Sequence, residues 1–187
     1  MNFQFLKEKL VGKEKGMTLT EILVSIVIIG IISSIAFLNY HNIEKDFALQ
    51  ISAYKLAQDI RRALEKTMGA EECASCGANK PEGYGIYFDK TNSITSYILF
   101  ADINGNGTYQ PSDVALETIA LEKGITIKNL YSEDKAKTTV SVVFLPPIPS
   151  VLLKDPGDSD YIYVELRSTN NKIKKIHINK AGLIYVE

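Results

Sequence analysis

Nothing in these 187 residues assembles a familiar catalytic centre. There is no nucleophile elbow, no phosphate-binding loop and no zinc-helix motif. Histidine occurs only twice, as His41 and His177. An enzyme is therefore not expected. Cysteine is as scarce: Cys73 and Cys76 are the whole supply, and the two histidines are too far away to complete a zinc site with them. Neither sign of charge dominates, with 21 Lys and Arg against 22 Asp and Glu. Such balance argues against a generally nucleic-acid-binding surface. Internal repeats and long low-complexity stretches are missing too.

The most informative absence is local. From Ile22 to Ile43 there is no Asp, Glu, Lys or Arg. Ile, Val and Leu dominate, with Ser25, Gly30, Ser33 and Ser34 as the small interruptions. As a helix this stretch spans roughly 30 Å, about one bilayer core. Lys7, Lys9, Lys13 and Lys15 precede it, so the positive-inside rule places the start of the chain in the cytoplasm and the rest outside. A secretory signal would carry a small-residue cleavage site after its apolar core, and no clear Ala-x-Ala follows here. A plain anchor fits the hydropathy but gives no reason for Gly16, or for Glu21 at the mouth of the helix. A carboxylate at that depth is costly unless something pairs with it.

Gly16-Met17-Thr18-Leu19-Thr20-Glu21 resembles the prepilin-type cleavage and methylation site of type IV pilins and type II secretion pseudopilins. The family usually has Phe after the cut; this chain has Met17. The resemblance implies that a membrane prepilin peptidase cuts between Gly16 and Met17 and methylates the new amino group. It also implies that Glu21 pairs with the amino terminus of a neighbouring subunit, so that two groups costly alone satisfy each other at one register. The chain then divides into a leader, 1–16, a transmembrane and filament-core half-helix, 17–43, and an extracytoplasmic domain, 44–187. The expected location is a single pass of the cytoplasmic membrane, then a filament of other pilin or pseudopilin subunits. Loss of the leader removes four Lys and two Glu and leaves a net charge near −3.

The helix is expected to continue to about Met68, because no Pro or Gly interrupts from Ile31 and Gly69 is a natural stop. Over Met17 to Met68 it would run for about 75 Å. Phe47, Ile51, Tyr54, Ala57, Ile60, Leu64 and Met68 recur at three- and four-residue spacing and mark its buried stripe. Lys45, Gln50, Lys55, Gln58, Asp59, Arg62 and Glu65 mark its polar face. The alternative is a break near Asn39 and a separate second helix. Beyond Gly69 the pattern turns to strands at 84–89, 94–101, 124–130, 138–145, 161–168, 172–179 and 183–186. Short turns at 89–93, 169–171 and 180–182 predict antiparallel neighbours. Pro146-Pro147-Ile148-Pro149 marks an extended crossing or a sheet edge. The fold class is α+β, a long helix packed on an antiparallel sheet. The tail from Lys175 to Glu187 resembles the closing hairpin of minor pseudopilins of the GspH type.

Three further sets of residues carry chemistry. Asp102, Asn104, Asn106, Thr108, Gln110 and Asp113 occupy positions 1, 3, 5, 7, 9 and 12 of a calcium-loop pattern, with Gly107 at position 6. Thr108 would offer its carbonyl. The closing Asp113 stands where an EF-hand has Glu, and in this the loop resembles dockerin loops. Two carboxylates predict weak calcium binding, roughly 10⁻⁴ to 10⁻³ M. The bland alternative is that Asn104-Gly105 and Asn106-Gly107 are only turn dipeptides. Cys73 and Cys76 are expected to form a disulfide, as fits an extracytoplasmic pair; Glu71 and Glu72 argue against a redox-active dithiol.

Arg167, Lys172, Lys174, Lys175 and Lys180 cluster in the last two strands with no acid between Leu166 and Val186. A DNA- or surface-binding tip subunit is the rival function they raise. A solvated edge hairpin, whose lysines discourage edge pairing, is the preferred reading. A permanently anchored, calcium-stabilised domain that never assembles is the third. The leading expectation is a structural subunit, minor rather than major.

Overall fold

The computed structural model describes residues 16–77, 80–146, 150–154 and 158–187, and at residues 36 and 38–42 the backbone alone. The leader lysines, and Pro147 to Pro149 of the proline run, lie outside the described residues. The chain forms two compact units, residues 1–41 and 42–187. One helix, α1 (Leu19–Met68), contributes to both and runs without the break considered near Asn39.

In the first unit, Thr18 caps α1: its Oγ1 accepts the N–H of Glu21 at 3.2 Å. Glu21 thus stands three residues into the helix, where a carboxylate also complements the helix dipole. The polar interruptions of the apolar run are absorbed by the helix itself. Ser25 Oγ donates to the Glu21 carbonyl at 2.7 Å and Ser34 Oγ to the Gly30 carbonyl at 2.8 Å. Every large apolar side chain described here is exposed. Among the described residues no helix is long and apolar enough to cross a membrane. The described side chains run unbroken only to Ile35, while the sequence stays apolar through Ala36, Phe37 and Leu38.

The second unit is α+β, but its strands form two antiparallel sheets where the sequence predicted one. Ten strands follow α1 and a short 3-10 turn at Ala74–Cys76: β1 (Gly83–Asp89), β2 (Ser96–Asp102), β3 (Val114–Ala120), β4 (Ile125–Ser132), β5 (Lys135–Lys137), β6 (Thr139–Leu145), β7 (Ser150–Lys154), β8 (Tyr161–Ser168), β9 (Ile173–Asn179) and β10 (Ile184–Val186). One sheet has the order β3-β2-β1-β6-β7, the other β10-β9-β8-β4-β5. All seven expected strands are present, displaced by a residue or two. The three additional ones, β3, β5 and β7, all lie at sheet edges. The β4–β5 turn uses Glu133 and Asp134, both at positive φ, where Asn-Gly is the usual signal.

The inner faces of both sheets and one face of α1 share a single core. The buried face of α1 is Leu49, Ser52, Ala53, Leu56, Ala57, Asp59, Ile60, Ala63 and Thr67. This corrects the expected stripe. Ala57 and Ile60 are buried and Leu64 partly so. Phe47, Ile51 and Tyr54 are 59%, 54% and 62% exposed, and Met68 is exposed as well. The physical reason is proximity: small residues at Ser52, Ala53, Ala57 and Ala63 let the helix come close to the sheets. Asp59, expected on the polar face, is buried because Tyr97 of β2 donates to it at 2.7 Å. Thr67 Oγ1 donates to the Phe144 carbonyl and accepts the N–H of Tyr84, joining the helix end to β6 and β1. Arg61 reaches the Ile184 carbonyl of β10 at 3.0 Å.

The helix ends as expected near Gly69, by a different residue. Glu71 N–H bonds to the Lys66 carbonyl at 3.1 Å and Ala70 N–H to the Thr67 carbonyl at 3.2 Å, the paired bonds of a Schellman motif. The left-handed position is taken by Ala70, with φ 46°.

Candidate functional site

Gly16 and Met17 precede the capped start of α1 and are exposed. Among the described residues nothing lies within 4 Å of the place a side chain on Gly16 would occupy. Glu21 lies on the first turn, also exposed. The structure therefore sets a lone first-turn carboxylate ahead of an exposed apolar helix. It can serve the dipole of its own helix, or accept an ammonium brought by another chain. The capping pattern Thr18-x-x-Glu21 was a sequence signal for this helix start that the pilin resemblance overshadowed.

The second candidate is the loop between β2 and β3. Asp102 is fully buried. Its Oδ1 accepts the N–H of Asn104 at 3.2 Å and of Gly105 at 2.8 Å, and its Oδ2 accepts that of Gly107 at 2.8 Å. Asp113, also buried, closes the loop by accepting the N–H of Ile103 at 3.1 Å and of Gln110 at 2.8 Å. Asn104 and Asn106 each accept the N–H two residues on. Gly107 has φ +77°, and a Cβ there would come 2.9 Å from Leu152 of β7. Only glycine fits that point. Tyr109 anchors the loop with ring centroids 5.1 Å from both Tyr87 and Phe100. Two buried carboxylates share this loop, and no ion pair of either is seen among the described residues. The donor set of oxygens suits calcium chemically. No cluster of three or more His, Cys, Asp or Glu side chains placed for a metal exists among the described residues.

Cys73 and Cys76 are joined by a disulfide with Cα atoms 5.2 Å apart. It closes the 3-10 turn just after α1. Tyr84 of β1 donates to the Glu71 carbonyl at 2.5 Å beside it, and burial pushes that phenol above its ordinary pKa, helped by the charge of Glu71.

The basic residues do not gather into one free patch. Lys172 is paired with Asp46. Lys175 lies 3.7 Å from Glu165 and over the Tyr163 ring, and Lys180 lies 3.8 Å from Asp160. Lys174 alternates with Lys175 along β9 and so faces the other way. Arg167 is exposed on β8. His177 is stacked between Tyr163 and Tyr185, with Tyr131 beyond Tyr163. Its Nε2 is 3.2 Å from Glu187. The backbone of His41 belongs to α1.

Comparison with known proteins bears on the first of these sites. Residues 12–37 match the family model described as the prokaryotic N-terminal methylation motif. The chain carries this motif. The match takes in Gly16, Met17 and Glu21, and it supports a prepilin-type pilin or pseudopilin processed by prepilin peptidase. No curated protein and no solved structure gives a significant match.

Proposed function

We propose that this chain is a structural subunit, minor rather than major, of a type IV pilus or a type II secretion pseudopilus. The observation that carries the reading is the methylation motif over residues 12–37, set on an exposed Gly16–Met17 bond and a capped helix with one carboxylate, Glu21, in its first turn. The subunit waits in the cytoplasmic membrane on its apolar half-helix, with residues 44–187 outside. Cleavage after Gly16 frees the amino group of Met17 for methylation. On assembly the apolar surface leaves lipid for the helices of other subunits, and Glu21 meets the ammonium of a neighbour. An ion pair in an apolar bundle is costly if either partner is missing, so it fixes the step between subunits. Within the second unit, Phe47, Ile51 and Tyr54 give α1 a second apolar face directed away from the core. Exposed apolar clusters of this kind mark contact surfaces. The subunit has a mechanical role and performs no catalysis on a substrate. Calcium bound weakly by Asp102, Asn104, Asn106, the Thr108 carbonyl, Gln110 and Asp113 would stiffen the β2–β3 loop.

The test is the mass and N-terminal sequence of the protein purified from its own membranes. A chain that begins at a methylated Met17 supports the reading. A chain that retains residues 1–16 in cells possessing the peptidase refutes it. Glu21→Ala should then block incorporation into filaments while the second unit stays folded; normal incorporation would remove Glu21 from the assembly mechanism.

A further inference from the structure

Lys90, Asn129 and Glu165 meet where the two sheets come together. Lys90 follows β1 in the first sheet, Asn129 lies on β4 and Glu165 on β8 in the second. The backbone ties the hairpin after β1 to β4 at this place: Ile127 N–H donates to the Ile94 carbonyl at 2.7 Å. Lys90 Nζ lies 3.3 Å from Asn129 Oδ1, and Asn129 Nδ2 lies 2.9 Å from Glu165 Oε2. A carboxylate only accepts and an ammonium only donates, so the orientation of the carboxamide between them is fixed. Glu165 is 7% exposed although it belongs to the outward-facing row of β8. Lys128 and Lys175 balance its charge from 3.9 Å and 3.7 Å, both longer than a hydrogen bond. Among the described residues its one short side-chain contact is therefore to the amide nitrogen of Asn129.

This arrangement sets the two groups that an isopeptide bond would join next to each other. An amine faces a carboxamide at its carbonyl end. A sequestered carboxylate holds the nitrogen that would have to leave. Holding the reacting groups in place lowers the entropic part of the barrier to aminolysis, and the carboxylate, in hydrogen-bond contact with the leaving nitrogen, can exchange a proton with it.

We propose that Lys90 and Asn129 become joined by an intramolecular isopeptide bond formed without any other enzyme, with Glu165 as its catalytic residue. Nζ of Lys90, as the free amine, adds to Cγ of Asn129. The C–Nδ2 bond then breaks. The proton shed by Nζ is delivered to Nδ2, the atom Glu165 holds, and Nδ2 departs as ammonia. The proton given up by the Lys90 ammonium beforehand leaves with it, so one ammonium and one carboxamide become one secondary amide and one ammonium ion. No oxidant or cofactor is consumed. The product staples the first sheet to the second. A fibre subunit under tension gains from such a link, because pulling the sheets apart then requires breaking a covalent bond.

The test is peptide mapping by mass spectrometry of the full-length protein from its own cells, and of the recombinant full-length chain. The expected result is one branched peptide containing both Lys90 and Asn129, lighter than its two parents by one ammonia. Asn104-Gly105 and Asn106-Gly107 can lose ammonia as succinimides, so the loss must be located by fragmentation and not read from intact mass. Glu165→Gln should keep the fold, by circular dichroism, and leave the two peptides separate. Lys90→Arg should do the same. Separate, unmodified peptides in the wild-type protein would overturn the proposal, and so would Asn129 recovered as Asp. A branched peptide that forms equally well in Glu165→Gln would overturn the role given to Glu165.

Discussion

Tyr97 donates its phenolic hydrogen to Oδ2 of Asp59 at 2.7 Å, and both side chains are buried between α1 and the first sheet. A buried hydrogen bond to a charged acceptor contributes roughly 1.5–3 kcal/mol. Tyr97→Phe should lower stability by about that amount, and Asp59→Ala by more, because it also strands the hydroxyl. Burial pushes the Tyr97 phenol well above its ordinary value, and the bond to Asp59 pushes it further. The folded state thus holds this proton more tightly than the unfolded chain does. The stability it contributes is complete below about pH 10, the unfolded tyrosine value, and is lost as pH rises beyond that. Thermal melts from pH 8 to 11 should show a fall beginning near pH 10 that Tyr97→Phe makes shallower. A slope unchanged by the substitution would contradict this account.

Ala70 closes the Schellman motif at φ 46°, a region that costs a residue with a side chain roughly 1–2 kcal/mol. Ala70→Gly should therefore stabilise the second unit by about 1 kcal/mol, less the extra freedom glycine has when unfolded. Urea denaturation would measure it as a higher midpoint with an unchanged slope. Ala70→Val should shift the midpoint down.

Calcium, if bound by the β2–β3 loop, should raise the melting temperature at millimolar concentrations, since the expected dissociation constant is roughly 10⁻⁴ to 10⁻³ M. Magnesium should do much less. Asp113→Asn should abolish the shift. A melting temperature indifferent to 10-fold excesses of calcium over that range (about 10⁻² M) would reduce the motif to a turn held by its own backbone hydrogen bonds.

Phe47, Ile51 and Tyr54 project from the face of α1 opposite the core. Replacing all three with Ser removes no core contact, so the melting temperature of the second unit should change little. Incorporation into filaments should fall severalfold. A large loss of stability instead would mean that the stripe belongs to the fold.

The sequence was legible wherever the signal is local. The uncharged run from Ile22 to Ile43, the Gly16–Glu21 motif, the stop near Gly69 and seven strands needed only neighbouring residues to declare themselves. The edge strands β3, β5 and β7 did not; β3 is largely exposed and β5 is only three residues long.

By itself, then, the sequence determined the helix, the strand-rich α+β class and the N-terminal methylation motif, since each depends on residues close together in the chain. Only the tertiary structure decided which face of α1 is buried. Two apolar stripes run along that helix, and spacing cannot tell them apart; the small residues Ser52, Ala53, Ala57 and Ala63 won because they allow the closest approach to the sheets. The division into two sheets, and the meeting of Lys90, Asn129 and Glu165, were decided at the same level. Groups that far apart in sequence have no local periodicity in common, and only packing brings them within hydrogen-bonding distance.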